Sequence, residues 1–127
     1  MFLGLRTAIY PAPDLGAAKA FWTPLLGDEP YFDEPFYVGY NVGGYELALD
    51  PNADIDAGVT TYWGVAGCEA AIERLAEAGA TVLSPAREVG GGILVATLEL
   101  PIGSVLGVIE NPHFELRQPS SGAGPGR

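Results

Sequence analysis

The chain has 127 residues, nearly half of them hydrophobic, and a formal net charge of -10 from 16 acidic against six basic residues. That length and apolar content suit one folded domain with a core and argue against disorder. The charge disfavours binding to nucleic-acid phosphates, and the lone Cys68 excludes an intramolecular disulfide.

In chain order, residues 3–12 read as a strand broken by Pro11 and Pro13. Asp14 is placed as a helix N-cap, and Leu15, Ala18, Phe21, Trp22, Leu25 and Leu26 follow at helical spacing until Gly27 closes the helix. The same spacing assigns both Phe21 and Trp22 to packing between helix and sheet. Residues 30–35 are expected as a short edge strand, where proline is tolerated. Residues 36–41 and 45–49 flank Val42-Gly43-Gly44, a hairpin signal. A polar loop over 50–58 leads to a strand at 59–65. A second helix opens at Gly67-Cys68-Glu69, carries Cys68, Ala71, Ile72, Leu75 and Ala78 on one side, and ends at Gly79. Strands are expected at 80–83, 92–98 and 105–109, and the tail from Gln118 has a disordered composition.

The apolar run from Val89 to Ile109 is long enough to resemble a membrane span. It contains Glu99 and Pro101 and is rich in Val and Ile, so two buried strands around a Pro-Ile-Gly turn explain it better. The stretch MFLGLRTAIY has no charged start followed by a long apolar core, so no signal peptide and a cytoplasmic location are expected.

The order strand, helix, strand, strand, strand occurs twice, over about residues 3–51 and 58–112. Residues 5–14 align on 58–67, and the stretch Glu46-Leu-Ala-Leu-Asp-Pro51 aligns on Gly107-Val-Ile-Glu-Asn-Pro112, with a longer middle in the second half. Neither unit can bury its sheet alone. Two together can form a curved sheet with an internal concavity, the usual place for a ligand.

The pieces TAIYPAPDLGAAKAFWTPLLG, VTTYWGVAGCEAAIERLAEAGATVLSP and LPIGSVLGVIENP, in that order and duplicated, resemble the vicinal oxygen chelate superfamily of glyoxalases, extradiol dioxygenases and bleomycin-resistance proteins. The resemblance covers about residues 3–114. It implies an α+β fold in which two tandem βαβββ modules form a cupped, barrel-like mixed sheet with the helices outside. It also implies a single domain over residues 1–117 and a homodimer. In metal-dependent members four inward positions hold the ion; carried over, these are Thr7, Glu46, Thr60 and Gly107. Only Glu46 keeps the pattern. Threonine is a poor neutral ligand and glycine offers no side chain, whereas a catalytic divalent site takes about three protein ligands.

Glu46 shares a strand face with Ala48. In a cavity it would serve as a ligand anchor or general base, at a rim as a solvated charge, and a metal-ligand role has few companions. Thr7 and Thr60 would flank it with hydroxyls, although threonine also favours strands on packing grounds alone. Tyr62 falls on the face of Thr60 and Trp63 on the opposite one. A two-residue Gly43-Gly44 turn sets Asn41 opposite Glu46 and brings Tyr37 to that face; a three-residue loop sets Tyr40 there instead. Aromatic walls suit planar or cationic ligands. Cys68 reads as a packed, inert thiol and His113 as a surface residue. Gly90-Gly91-Gly92 lacks the lysine and following helix of a phosphate loop and reads as a flexible connection.

The expectation is therefore a small organic molecule bound in a metal-free cavity without a cofactor, as in sequestering or resistance-type proteins. The candidate binding set is Thr7, Tyr37, Asn41, Glu46, Thr60 and Tyr62, and no nucleic-acid or membrane partner is expected. The alternative is an isomerase, epimerase or lyase with Glu46 as the catalytic base. A metal-dependent glyoxalase or dioxygenase is the least supported version.

Overall fold

The computed structural model describes residues 1–114. Their strands are β1 (Phe2–Pro11), β2 (Phe32–Glu34), β3 (Tyr37–Val42), β4 (Tyr45–Asp50), β5 (Thr60–Val65), β6 (Thr81–Glu88), β7 (Leu94–Glu99) and β8 (Val105–Glu110). Helix α1 (Leu15–Leu26) follows β1 and α2 (Cys68–Glu77) follows β5. The tail from Gln118 lies outside the described residues.

Local chemistry sets the element ends. The Asp14 carboxylate accepts the Ala17 N–H at 3.0 Å, and Gly27 ends α1 in the left-handed region at φ 77°. Gly43 and Gly44 both have positive φ, as a two-residue type I′ hairpin requires. The turn fixes the register: Val42 pairs with Tyr45 and Asn41 with Glu46. The loop after β4 holds one turn of 3-10 helix, Ile55–Ala57. β6 runs to Glu88, past the expected end at Leu83. It includes Pro85, which is tolerated because β6 is an edge strand.

All eight strands form one curled mixed sheet in the order β2-β3-β4-β1-β5-β8-β7-β6. The order mirrors itself about the β1–β5 seam. β1 is parallel to β4, β5 is parallel to β8, and β1 and β5 are antiparallel. This is the expected pair of βαβββ modules with the helices on the outside.

Each module has its own core on the helix side. Under α1, Val38, Tyr40 and Leu49 are fully buried, with Tyr10, Trp22 and Leu47 packed against them. Tyr40 pairs with Leu47, one residue away from the Glu46 face, and its hydroxyl meets that of Thr23 at 2.8 Å. Under α2, Cys68, Ala71, Leu75, Ala96, Leu98 and Val108 form the second core. Trp63 lies on the same outer side, tilted against Phe2 with ring centroids 5.2 Å apart.

Phe21 departs from the sequence expectation. Trp22 packs on Tyr10 with centroids 5.3 Å apart, whereas Phe21 is 60% exposed. Adjacent helical residues point about 100° apart, so only one of the two reaches the sheet. Among the described residues no helix is long and apolar enough to cross a membrane; the apolar run from Val89 supplies β7, a turn and β8.

Candidate functional site

The concave side of the sheet encloses a cavity of about 760 Å³. A row of directly paired residues crosses the sheet at this level, Asn41, Glu46, Thr7, Tyr62, Gly107 and Thr97, of which Glu46, Thr7 and Tyr62 line the cavity. Glu46, half-buried, stands in this wall beside Thr7 on the parallel neighbour strand.

Three hydroxyls converge on the Glu46 carboxylate. Oε1 accepts from Tyr37 at 2.7 Å and from Thr7 at 3.1 Å. Oε2 accepts from Tyr31. Tyr37 arrives because the two-residue turn brings β3 into register, so Tyr37, Gly39 and Asn41 share the Glu46 face. Tyr31 arrives from before β2 and folds back across Gly39. A Cβ at residue 39 would lie 2.5 Å from Glu46 Oε2 and 3.1 Å from the Tyr31 ring, so only glycine admits this approach.

The phenols are held in their neutral, donating form. Burial raises Tyr31 well above the ordinary tyrosine range, and its hydrogen bond to Glu46 and the Glu46 charge add to the rise. Tyr37 is raised further by burial, then by the Glu46 charge and hydrogen bond. Tyr62 is also raised by burial, while the positive charge of Arg87 opposes the rise and Asp50 adds to it.

Thr7, Tyr37, Glu46 and Tyr62 line the cavity. Asn41 and Thr60 are not among its lining residues. Asn41 faces Glu46 across the hairpin, but its side-chain oxygen accepts the Gly44 N–H at 3.0 Å and is engaged in the turn. Thr60 pairs with Ile9, near the start of β5. The residue of the second module that corresponds to Thr7 is Tyr62. Thr7 pairs with Glu46 as Tyr62 pairs with Gly107. The carried-over alignment is thus corrected by two residues, because the link from this point to the helix cap is two residues longer in the first module than in the second.

The donor set does not fit a divalent ion. Of the inward positions Thr7, Glu46, Tyr62 and Gly107, one is a carboxylate, and both its oxygens accept hydroxyls. The place a side chain at residue 107 would take is filled by the Tyr62 ring, 2.5 Å from an added Cβ. Among the described residues no three of His, Cys, Asp and Glu gather into a metal-holding group.

Several lining residues carry no periodic signal in the sequence: Arg6, Tyr31, Arg87 and Phe114; Asp50 lines the cavity too, and alternation along β4 puts it on the Glu46 face. Tyr31 had one available signal, the isolated glycine at 39 inside a strand of large residues. His113 is exposed, as expected, with its ring Nε2 2.9 Å from the Gly91 carbonyl oxygen, which ties the glycine loop beside the cavity mouth. Cys68 is fully buried; burial, then Glu110 and Glu69, push its thiol up. A smaller pocket of about 320 Å³ between α1 and β2 holds Lys19 and Asp33, whose charges already pair at 2.9 Å.

No protein-family model and no curated protein matches the sequence. Solved structures do match in fold. Methylmalonyl-CoA epimerase from Streptomyces coelicolor, in complex with 2-nitronate-propionyl-CoA, is 18% identical with a TM-score of 0.72, covering 88% of this chain and 99% of that one. A glyoxalase/bleomycin resistance protein/dioxygenase superfamily member from Vibrio splendidus is 18% identical with a TM-score of 0.64, covering 84% and 97%. A hypothetical protein from Bacillus halodurans is 15% identical with a TM-score of 0.71, covering 87% and 96%. The mirrored βαβββ modules, the cavity between them and these neighbours together give the chain the vicinal oxygen chelate fold.

Proposed function

We propose that the protein holds a small organic molecule in the concave cavity without a metal, with Glu46 as its polar anchor. The observation that carries this reading is the convergence of Thr7, Tyr31 and Tyr37 on the Glu46 carboxylate. A carboxylate offers about four acceptor sites. Three are taken, which fixes the side chain and leaves one, on Oε2, for a ligand donor. The cavity volume lies within the usual range for small-molecule sites, and Ile9, Phe36, Ile93, Val95 and Ile109 give it apolar walls. A group so tied down suits binding, where geometry must be held, better than chemistry that requires the carboxylate to move.

Isothermal titration against a panel of aromatic metabolites and antibiotics tests the reading. One ligand per chain is expected, weakened about tenfold to a hundredfold by Glu46→Gln, as for loss of a charge-assisted hydrogen bond. Thr60→Val should leave affinity unchanged. Silence across the panel, or one tightly held transition ion per chain on elemental analysis, would overturn it.

One observation favours a second reading. Glu46 lines the cavity with a lone pair to spare, and a fold neighbour is an epimerase. In that reading Glu46 takes a proton from a bound substrate while Tyr62 or Thr7 supports the developing charge. Turnover that survives Glu46→Gln would remove Glu46 from the role.

A homodimer belongs to the same proposal. Its support is the apolar outer side of α1, where Phe21 and Leu25 are 60% and 67% exposed. Sedimentation should show a dimer that Phe21→Asp with Leu25→Asp converts to a monomer; a wild-type monomer at micromolar concentration would sink it.

A further inference from the structure

We infer that the ligand carries an anionic group, a carboxylate or phosphate, held by Arg6 and Arg87. The inference rests on the cavity being the binding site, as proposed above, and adds the chemical class of its occupant.

The chain has only six basic residues, of which Arg6, Lys19, Arg74 and Arg87 lie in the described part. Two of those four line this one cavity. Each is set there by a break in strand register. Between β1 and β5, Leu5 pairs with Trp63 and Thr7 with Tyr62, so Arg6 is an extra residue. Between β6 and β7, Ser84 pairs with Thr97 and Arg87 with Val95, so β6 again has one residue too many. Such bulges re-aim a side chain. With unbroken alternation Arg6 would face away from Thr7, and Ala86 rather than Arg87 would stand opposite the cavity residue Val95. Instead Ala86 packs on the core beneath α2 and Arg87 lines the cavity.

Among the described residues no carboxylate lies within ion-pair distance of either guanidinium. Lys19–Asp33 is the only ion pair among the described residues. Of the two acids of the cavity wall, Glu46 accepts three hydroxyls and Asp50 the Asn52 N–H at 2.9 Å, and neither forms an ion pair with Arg6 or Arg87. Two arginines in one cavity with no carboxylate partner among the described residues mark a place for an external anion.

Arg6 is also held in position. Its guanidinium lies over Gly64, where an added Cβ would come within 2.6 Å of it, and the Phe114 ring stacks on it at 3.7 Å. One N–H donates to the Leu5 carbonyl at 3.0 Å; the other donors of the fork have no partner among the described residues. A planar fork with free parallel donors matches carboxylate and phosphate oxygens. The charge of Arg87 reaches the Tyr62 phenol, and Tyr62 pairs with Thr7, the residue after Arg6, so both cations serve the same wall. The ligand thus presents an oxyanion to the arginines and a hydrogen-bond donor to Glu46.

The test uses matched probes: 4-hydroxyphenylacetate against its primary amide, phenyl phosphate against phenol, and inorganic phosphate alone. Each is titrated at low and high salt into the wild type, Arg6→Gln, Arg6→Lys, Arg87→Gln and the Arg6→Gln/Arg87→Gln pair. The expected result is that anions bind at least tenfold tighter than their neutral partners and weaken as salt rises. Each glutamine variant loses about tenfold for anions with neutral probes unchanged, and Arg6→Lys falls between. Phosphate binding as tightly as phenyl phosphate assigns the site to the free ion, and 4-hydroxyphenylacetate outbinding both assigns it to a carboxylate; either supports the inference. Amide or phenol binding as tightly as the acids, or arginine variants binding anions like the wild type, overturns it and leaves the cavity reading intact. If neither these probes nor the wider panel bind, both fall together.

Discussion

Gly39 and Gly107 determine what the cavity wall can hold. Each sits where a Cβ would strike a neighbouring side chain, Glu46 and Tyr31 in one case and the Tyr62 ring in the other. Gly39→Ala is expected to dislodge Tyr31 from Glu46 and to destabilise the fold by about 1–3 kcal/mol, as overpacking does; urea denaturation measures it, and a wild-type midpoint would refute the close-approach account. Glu46 itself was partly legible in the sequence: strand alternation gave the face it shares with Ala48, while the length of the Gly-Gly turn left its partner open between Asn41 and Tyr40, and the observed register makes it Asn41. Tyr31 was not, since it reaches Glu46 through space across a glycine rather than along any period. Arg6 and Arg87 were hidden for a different reason. A bulge adds one residue, and counting by twos then assigns the wrong face.

At the scale of elements, the two helices share a plan but not a cap. α1 begins on its own Asp14, whereas Gly67 gives α2 no side chain, and the Glu110 carboxylate at the end of β8 accepts the Cys68 N–H at 2.8 Å. Glu110→Ala should cost about 1 kcal/mol, the usual worth of a cap, with the loss visible as faster amide exchange in the first turn of α2. Unchanged exchange there would show that the carboxylate does not cap. Asp14 could be read directly from the chain because a cap normally stands beside its helix. Glu110 could not, because its partner is 42 positions away. The helical spacing of α1 was equally clear, yet spacing alone did not separate Trp22, which packs, from Phe21, which does not.

For the whole molecule, the duplicated order of elements carried most of the fold, since two half-sheets that cannot close alone have few ways to combine. The cavity's chemistry also gives the molecule a pH limit. Tyr31 and Tyr37 bond to Glu46 as neutral phenols, and their folded-state values are raised above the ordinary 10.0. Their contribution is therefore complete below about pH 10 and is lost as pH climbs from there through the raised values. Denaturant midpoints should fall as pH rises above about 10, and less steeply in a Tyr31→Phe/Tyr37→Phe variant; identical slopes would remove the phenols from this role. The bipartite core has a further consequence. Glu46 and Arg6 belong to one half and Arg87 to the other, with the bulged β1–β5 seam between them. A guest touching all three would act as a clasp across that seam, so occupancy would couple the melting of two lobes that otherwise rest on separate foundations.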